Sequence, residues 1–257
     1  MKHPTFIGLA LFILLLPLSG FASNSSESSS PPDDTTATTT GSVDEIARSL
    51  GVPSIVLGGS YDQGTFKMYN HNSKAQLTDN GRSTPIIDFV SAEHILDTIP
   101  MRSGNAVWGM NFTGSFGEQH TSYQNVPGGS GIIGKDLGSS VSGDYLAAAP
   151  FLYLRLGPIY PGTDSYWQFG YGLGAALWHF SGNPIFYTTQ PDGSTLATSM
   201  PIGSTNKFFV YQTWRWLFHF GNIDIRFEGR SLSNRKLYGY NTSFENYGIG
   251  IAYTIHF

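Results

Sequence analysis

The sequence predicts an all-β fold: a single eight-stranded, antiparallel, up-and-down transmembrane β-barrel over residues 52–257. Three observations carry that expectation. From Tyr247 to Phe257 every second residue is large and apolar, and the residues between them are small or polar. This is the period of a strand with one face to lipid and one to a crowded interior. The composition pairs 12% charged residues with 14% aromatics and 31 glycines, and no second apolar run is long enough for a membrane helix. Only helices and closed barrels pair all backbone groups in lipid, so a barrel is what remains. The third observation is that connections between strands alternate in character, short on one side and longer on the other.

The elements follow in order. Lys2 and His3 precede an apolar run from Phe6 to Leu18, and Gly20-Phe21-Ala22 follows it. That is the pattern of a secretory signal peptide over residues 1–22, and the run is short of the roughly 20 residues a spanning helix needs. Residues 23–51 are expected to form a disordered linker ending in a short helix. Its first part is Ser, Thr, Pro and Asp, and Ser42 with Glu45 makes a capping box. Eight strands are expected at about 52–62, 84–92, 105–117, 144–157, 165–181, 206–220, 222–232 and 244–257, with Thr65–Tyr69 competing for the second position. The connections 93–104, 158–164 and 221–222 are the short ones. The segments 63–83, 118–143, 182–205 and 233–243 read as longer extracellular loops.

Faces are assigned by alternation. Phe208, Val210, Trp214, Trp216, Phe218 and Phe220 share an outward face, with Tyr211, Thr213, Arg215 and His219 opposite. Ile223, Ile225 and Phe227 then point outward, while Asp224, Arg226, Glu228 and Arg230 point inward. An Arg or Lys on the lipid face at the membrane midplane costs about 2–4 kcal/mol. With Asp88 and Arg155 they form an expected charge network inside the barrel. An eight-stranded barrel is only just wide enough for its own side chains, so such charges fill the lumen and do not line a pore. Trp167, Phe169 and Tyr171 join the outward aromatics.

The run from Tyr247 to Phe257 resembles the terminal strand of outer-membrane barrels, which end in an aromatic residue. The resemblance implies that Tyr253, Ile255 and Phe257 are read by the barrel-assembly machinery. Asp224 to Phe257 also resembles the last hairpin of the PagL-type lipid A deacylases, eight-stranded barrels that remove an acyl chain from lipopolysaccharide. Their signature is His-x-Ser-Asn with a Glu about a dozen residues later. Here Ser231-Leu232-Ser233-Asn234 and Glu245 occupy those places. The resemblance implies Ser233 as nucleophile and Glu245 as orienting acid, with Ser231 standing where the family has its base. A hydroxyl cannot take the imidazole's role. His219, His256 and His179 read as lumen-facing, and His120, on a loop, is the remaining imidazole.

No metal-ligand spacing occurs, and Cys is absent, so neither cofactor nor metal is expected. At a net charge of −4 nucleic acid is not an expected partner; outer-membrane lipid and lipopolysaccharide are. Three functions remain in order of preference. The first is a non-catalytic outer-membrane protein with a structural or surface-interaction role. The others are a lipid A deacylase-like hydrolase and, last, a small-solute channel.

Overall fold

The computed structural model describes residues 54–79, 81–102, 104–123, 132–133 and 139–256. Thirteen strands follow in chain order: β1 (Ser54–Tyr69), β2 (Ser73–Thr78), β3 (Arg82–Val90), β4 (His94–Met101), β5 (Gly104–Tyr123), β6 (Ile132–Ile133), β7 (Ser139–Gly157), β8 (Ser165–Gly182), β9 (Ile185–Thr189), β10 (Thr195–Ser199), β11 (Ile202–Phe220), β12 (Ile223–Leu237) and β13 (Tyr240–His256). The expected signal peptide, linker and short helix lie outside the described residues, as does Phe257.

Eight strands close a ring, β1-β3-β5-β7-β8-β11-β12-β13, and β13 returns to pair with β1 along its whole length. All ring neighbours are antiparallel. The fold is therefore an eight-stranded antiparallel β-barrel. The cross-strand row that starts at Ile55 passes Phe89, Gly114, Ala148, Ala175, Val210, Ser233 and Ser243. It comes back to β1 at Lys67, twelve residues above its start. With ordinary strand spacing and rise, that stagger tilts the strands by about 45°.

The ring is uneven. β3 pairs with β5 only from Ile87 to Val90, whereas β5 and β7 pair from Asn105 to Tyr123. Above that seam, Arg82 and Glu118 form an exposed ion pair at 3.8 Å. β2 continues the stave of β3 after an irregularity around Asp79–Gly81, where the pairing with β1 shifts by one residue. A one-residue shift swaps the two faces of a strand. Ala75 and Leu77 of β2 therefore point inward with Ile86 and Asp88 of β3.

The extracellular connections depart from expectation. Residues 63–83 are not a loop: β1 runs on to Tyr69, so Thr65–Tyr69 belongs to the first strand, and residues 70–72 turn directly into β2. Residues 233–243 are likewise strand, with only Tyr238 and Gly239 between β12 and β13. Both turn residues have positive φ, which suits the glycine. β5 and β7 extend into the expected loop 118–143, and β9 and β10 make a hairpin within 182–205. The segment 93–104 is not a simple short turn either, because β4 occupies most of it. Polar, Gly- and Ser-rich composition reads as loop in the sequence. It marks instead strands whose outer face leaves lipid and meets water.

The β9–β10 hairpin springs from β8 and β11, yet β9 pairs with β2 through Ser73–Thr188 and Lys74–Tyr187. In the ring, β8 and β11 lie opposite the stave formed by β2 and β3. The hairpin must therefore cross the mouth of the barrel. Phe186 beneath it is buried and meets the Tyr240 ring at 4.7 Å.

Candidate functional site

The outer wall divides into two zones. Toward the end where β1 begins and β13 finishes it is a band of exposed apolar residues. Leu57, Tyr61, Leu152, Trp167, Phe169, Tyr171, Trp216, Phe227, Ile249, Ile251 and Tyr253 all belong to it. These large apolar groups would be costly in water and are suited to lipid. Trp214 lies flat over Gly229, where an added Cβ would come within 2.2 Å of its indole nitrogen. The glycine is what lets the ring cover the strand. Beyond the band the outward positions of β1, β2, β12 and β13 carry Thr65, Lys67, Gln76, Ser231, Ser233, Ser243 and Glu245, whereas β11 keeps the exposed apolar Val210 and Phe208.

The interior divides at the same height with the opposite sense. Inside the apolar band lies an ionic ladder. Asp88 accepts from Arg215 at 2.7 Å, from Arg226 at 2.8 Å and from Ser115 at 2.8 Å. Arg226 also donates to Asp224 at 2.9 Å, and Asp224 meets the His219 imidazole at 2.7 Å. Glu228 bridges Arg215, at 3.3 Å, and Arg230. Arg230 reaches the Tyr145 hydroxyl at 2.8 Å. Three guanidiniums thus face three carboxylates, all nearly inaccessible to water. Buried charges are tolerated only when so paired and hydrogen-bonded. Arg155 shares the inward face but stands apart at the opposite end of the barrel from the β9–β10 hairpin. It pairs with Glu93, bonds Gln168 and lies 4.2 Å over the Tyr166 ring.

Past the rim of the apolar band the lumen is a hydrocarbon core. Trp178 stacks on Phe180 at 4.3 Å and meets Phe209 at 5.2 Å and Phe244 at 5.7 Å. Phe66, Met68, Leu77, Tyr211, Leu232 and Leu237 belong to the same cluster. The charges were assigned to the interior from alternation alone. This aromatic core was missed, although its signal is present in the sequence: inward positions pass from Arg230 to Leu232, and from Arg215 through Tyr211 to Phe209.

The hydrolase candidates lie on the outer wall at the rim. Ser231 is directly opposite Glu245, and Ser233 is opposite Ser243. Glu245 is ion-paired with Lys67 at 3.0 Å, with the two side chains 28% and 34% exposed. Lys67 lies opposite Ser243 on β1, within the Thr65–Tyr69 stretch that competes in sequence for the second strand. Asn234 donates to the Phe208 carbonyl at 2.9 Å and accepts from the Lys236 amide at 3.0 Å. It thereby fixes the irregularity at the top of β12.

The imidazoles stand elsewhere. His179 faces outward, not into the lumen; it shares the face of Tyr171 and bonds Asn206 at 2.7 Å and Ser204 at 2.9 Å. His120 is on β5 and not on a loop, opposite Ser142. His219 is enclosed by Asp224 and Asp164 and stacked on Tyr166 at 4.4 Å. Among the described residues no group of three potential ligands could hold a metal ion. Tyr253 and Ile255 lie on the outward series of β13, and Asn222 donates to the Tyr253 hydroxyl at 2.9 Å.

No protein-family model matches the chain, and no curated protein matches it. Among solved structures it is similar to Ail, the attachment invasion locus protein of Yersinia pestis. The identity is 13% and the TM-score 0.38, over 79% of this chain and 99% of that one. It is similar to Neisserial surface protein A at 10% identity and a TM-score of 0.36, covering 79% and 97%. The outer membrane enzyme PagL aligns at 14% identity and a TM-score of 0.36, covering 76% and 99%. At TM-scores below 0.5 these likenesses add nothing to what the closed ring shows by itself.

Proposed function

We propose that the chain is a plugged barrel of the bacterial outer membrane with a non-catalytic role, whose polar extracellular crown serves as an interaction surface. An even-numbered antiparallel ring with an apolar outer band and a polar interior is the architecture of outer-membrane barrels. The observation that carries the reading is the filled lumen. An ionic ladder closes it within the membrane, an aromatic cluster closes it above, and a hairpin crosses the mouth. Among the described residues these fillings leave no open path for conduction. What the barrel offers is the crown's exposed polar strands. The expected outcome in planar bilayers is no single-channel current from the purified protein. Steps of defined conductance that change in the Glu228→Gln variant would overturn the reading.

One arrangement favours a second reading, a lipid A deacylase-like hydrolase acting at the outer leaflet. Ser231 and Glu245 face each other at the rim of the apolar band, where a lipid ester would lie. Against it stand the Lys67 ion pair, which already occupies the Glu245 carboxylate, and an opposite residue that is Ser where an imidazole is needed. Mass spectrometry of lipid A from cells expressing the protein or its Ser233→Ala variant separates the two. The first reading expects identical acylation. Loss of one acyl chain only with the unmodified protein would establish the second.

A further inference from the structure

The outer wall of β8 and β11 carries a polar cluster of its own, away from the last hairpin. Leu177 pairs there with Phe208, the last apolar pair on the outward face of the two strands, and the next outward pair is His179 with Asn206. The imidazole therefore stands at the edge of the apolar surface, with Ser204 one outward position further along β11. The ester bonds of a membrane lipid lie at that boundary between hydrocarbon and headgroup.

Both nitrogens of the ring have partners. Nδ1 lies 2.7 Å from the Asn206 Oδ1, and Nε2 lies 2.9 Å from the Ser204 hydroxyl. An amide oxygen only accepts, so Nδ1 holds the ring's proton and donates to Asn206. Nε2 keeps its lone pair, and the Ser204 hydroxyl donates to it. A base held in that tautomer by a third group is what makes a serine hydroxyl a nucleophile. Ser204 sits in an irregularity of β11, one extra residue between Ile202 and Thr205, and such bulges re-aim side chains. Asp144 of β7 stands opposite His179, a negative charge beside the imidazolium that proton transfer creates. Ser204 and Asn206 are both exposed, so a lipid can reach them.

We propose that Ser204, His179 and Asn206 hydrolyse a fatty-acyl ester of the outer leaflet, with Leu177 and Phe208 against the acyl chain. The Ser204 oxygen bonds to the ester carbonyl carbon while its proton passes to His179 Nε2. The bond to the alkoxy oxygen then breaks, and the alcohol leaves with that proton. Water, deprotonated by the same imidazole, releases the fatty acid from Ser204 and restores its hydroxyl. Asn206 acts through His179 and is a positioning residue. The inference takes its orientation in the membrane from the reading above and goes beyond it: the plugged lumen stays as it is, and the outer wall gains a reaction.

The test uses the full chain in mixed micelles with purified lipid A in one arm and diacyl phosphatidylethanolamine in the other. Heat-modifiable migration shows that each variant is folded, and mass spectrometry follows the released fatty acid. Release is expected in at least one arm, and the arm identifies the lipid. It should fall at least about 100-fold in Ser204→Ala and in His179→Gln. Asn206→Leu should lower kcat with KM little changed, and Asn206→Asp, which keeps an oxygen for Nδ1, should restore most of the rate. No release in either arm, or release that survives Ser204→Ala, would overturn the proposal. Release lost in Ser233→Ala and kept in Ser204→Ala would overturn it in favour of the last hairpin. Failure leaves a plugged barrel with a non-catalytic crown, whereas single-channel current would overturn the plugged barrel and not this site.

Discussion

Asp88 is held by two guanidiniums and a hydroxyl, and it contributes nothing to the membrane face of the barrel. Its worth lies in what it neutralises. Replacing Arg226 by Leu leaves Asp88 and Asp224 short of the group they share, and breaking one partner of a buried pair costs about 3–5 kcal/mol. Urea unfolding of the refolded barrel in detergent should show that loss. The same change in an Asp88→Asn, Asp224→Asn background should cost less, because the orphaned charges are gone. Lys67 sits at the other extreme. Its ion pair with Glu245 is open to water, and pairs of that kind are worth about 0–1 kcal/mol. Lys67→Ala should leave the unfolding midpoint almost unchanged and the lipid A profile identical. The inward direction of Asp224, Arg226, Glu228 and Arg230 was legible because lipid forbids the alternative. Lys67 was not legible as the partner of Glu245: the two are 178 residues apart, and only closure of the ring brings them together.

Among elements, the strands inside the apolar band were read nearly in place, since each must span the same thickness with one hydrocarbon face. Their extensions were not. Once β1, β12 and β13 leave the lipid, their outward residues turn to Ser, Thr and Lys, which looks like loop composition. What keeps them as strands is the aromatic cluster inside. Trp178→Ala should therefore cost about 3–5 kcal/mol, as for other buried aromatics cut to alanine, with the barrel still assembling. The mouth-crossing hairpin depends on the same cluster through Phe186. Phe186→Ser should loosen β9 and β10 and speed cleavage near the turn at Asp192 and Gly193 by an externally added protease. The ionic ladder below would be untouched, so heat-modifiable migration should persist.

For the molecule as a whole, the closed ring and its filled interior argue for permanence and against traffic. Expected outcomes at this scale are silence in planar bilayers and resistance of the barrel to protease when the crown is trimmed. Neither depends on the identity of a crown ligand, so both test the architecture alone. The overall fold was legible from period and composition, because a two-residue repeat with small, polar and aromatic residues in fixed alternation has few other solutions. The crown's height and the crossing of its mouth were not, since they rest on contacts between distant strands.

The reversal of polarity along β12 and β1 also has a geometric meaning. On β12 the inward positions are charged from Asp224 to Arg230 and apolar at Leu232, while the outward positions pass from Phe227 to Ser231 and Ser233. The repeat keeps its period and changes its phase. β1 makes the same exchange between Asp62 and Phe66. Those two points are a ruler written into the chain: set against the tilt of the ring, they mark the level where the membrane ends.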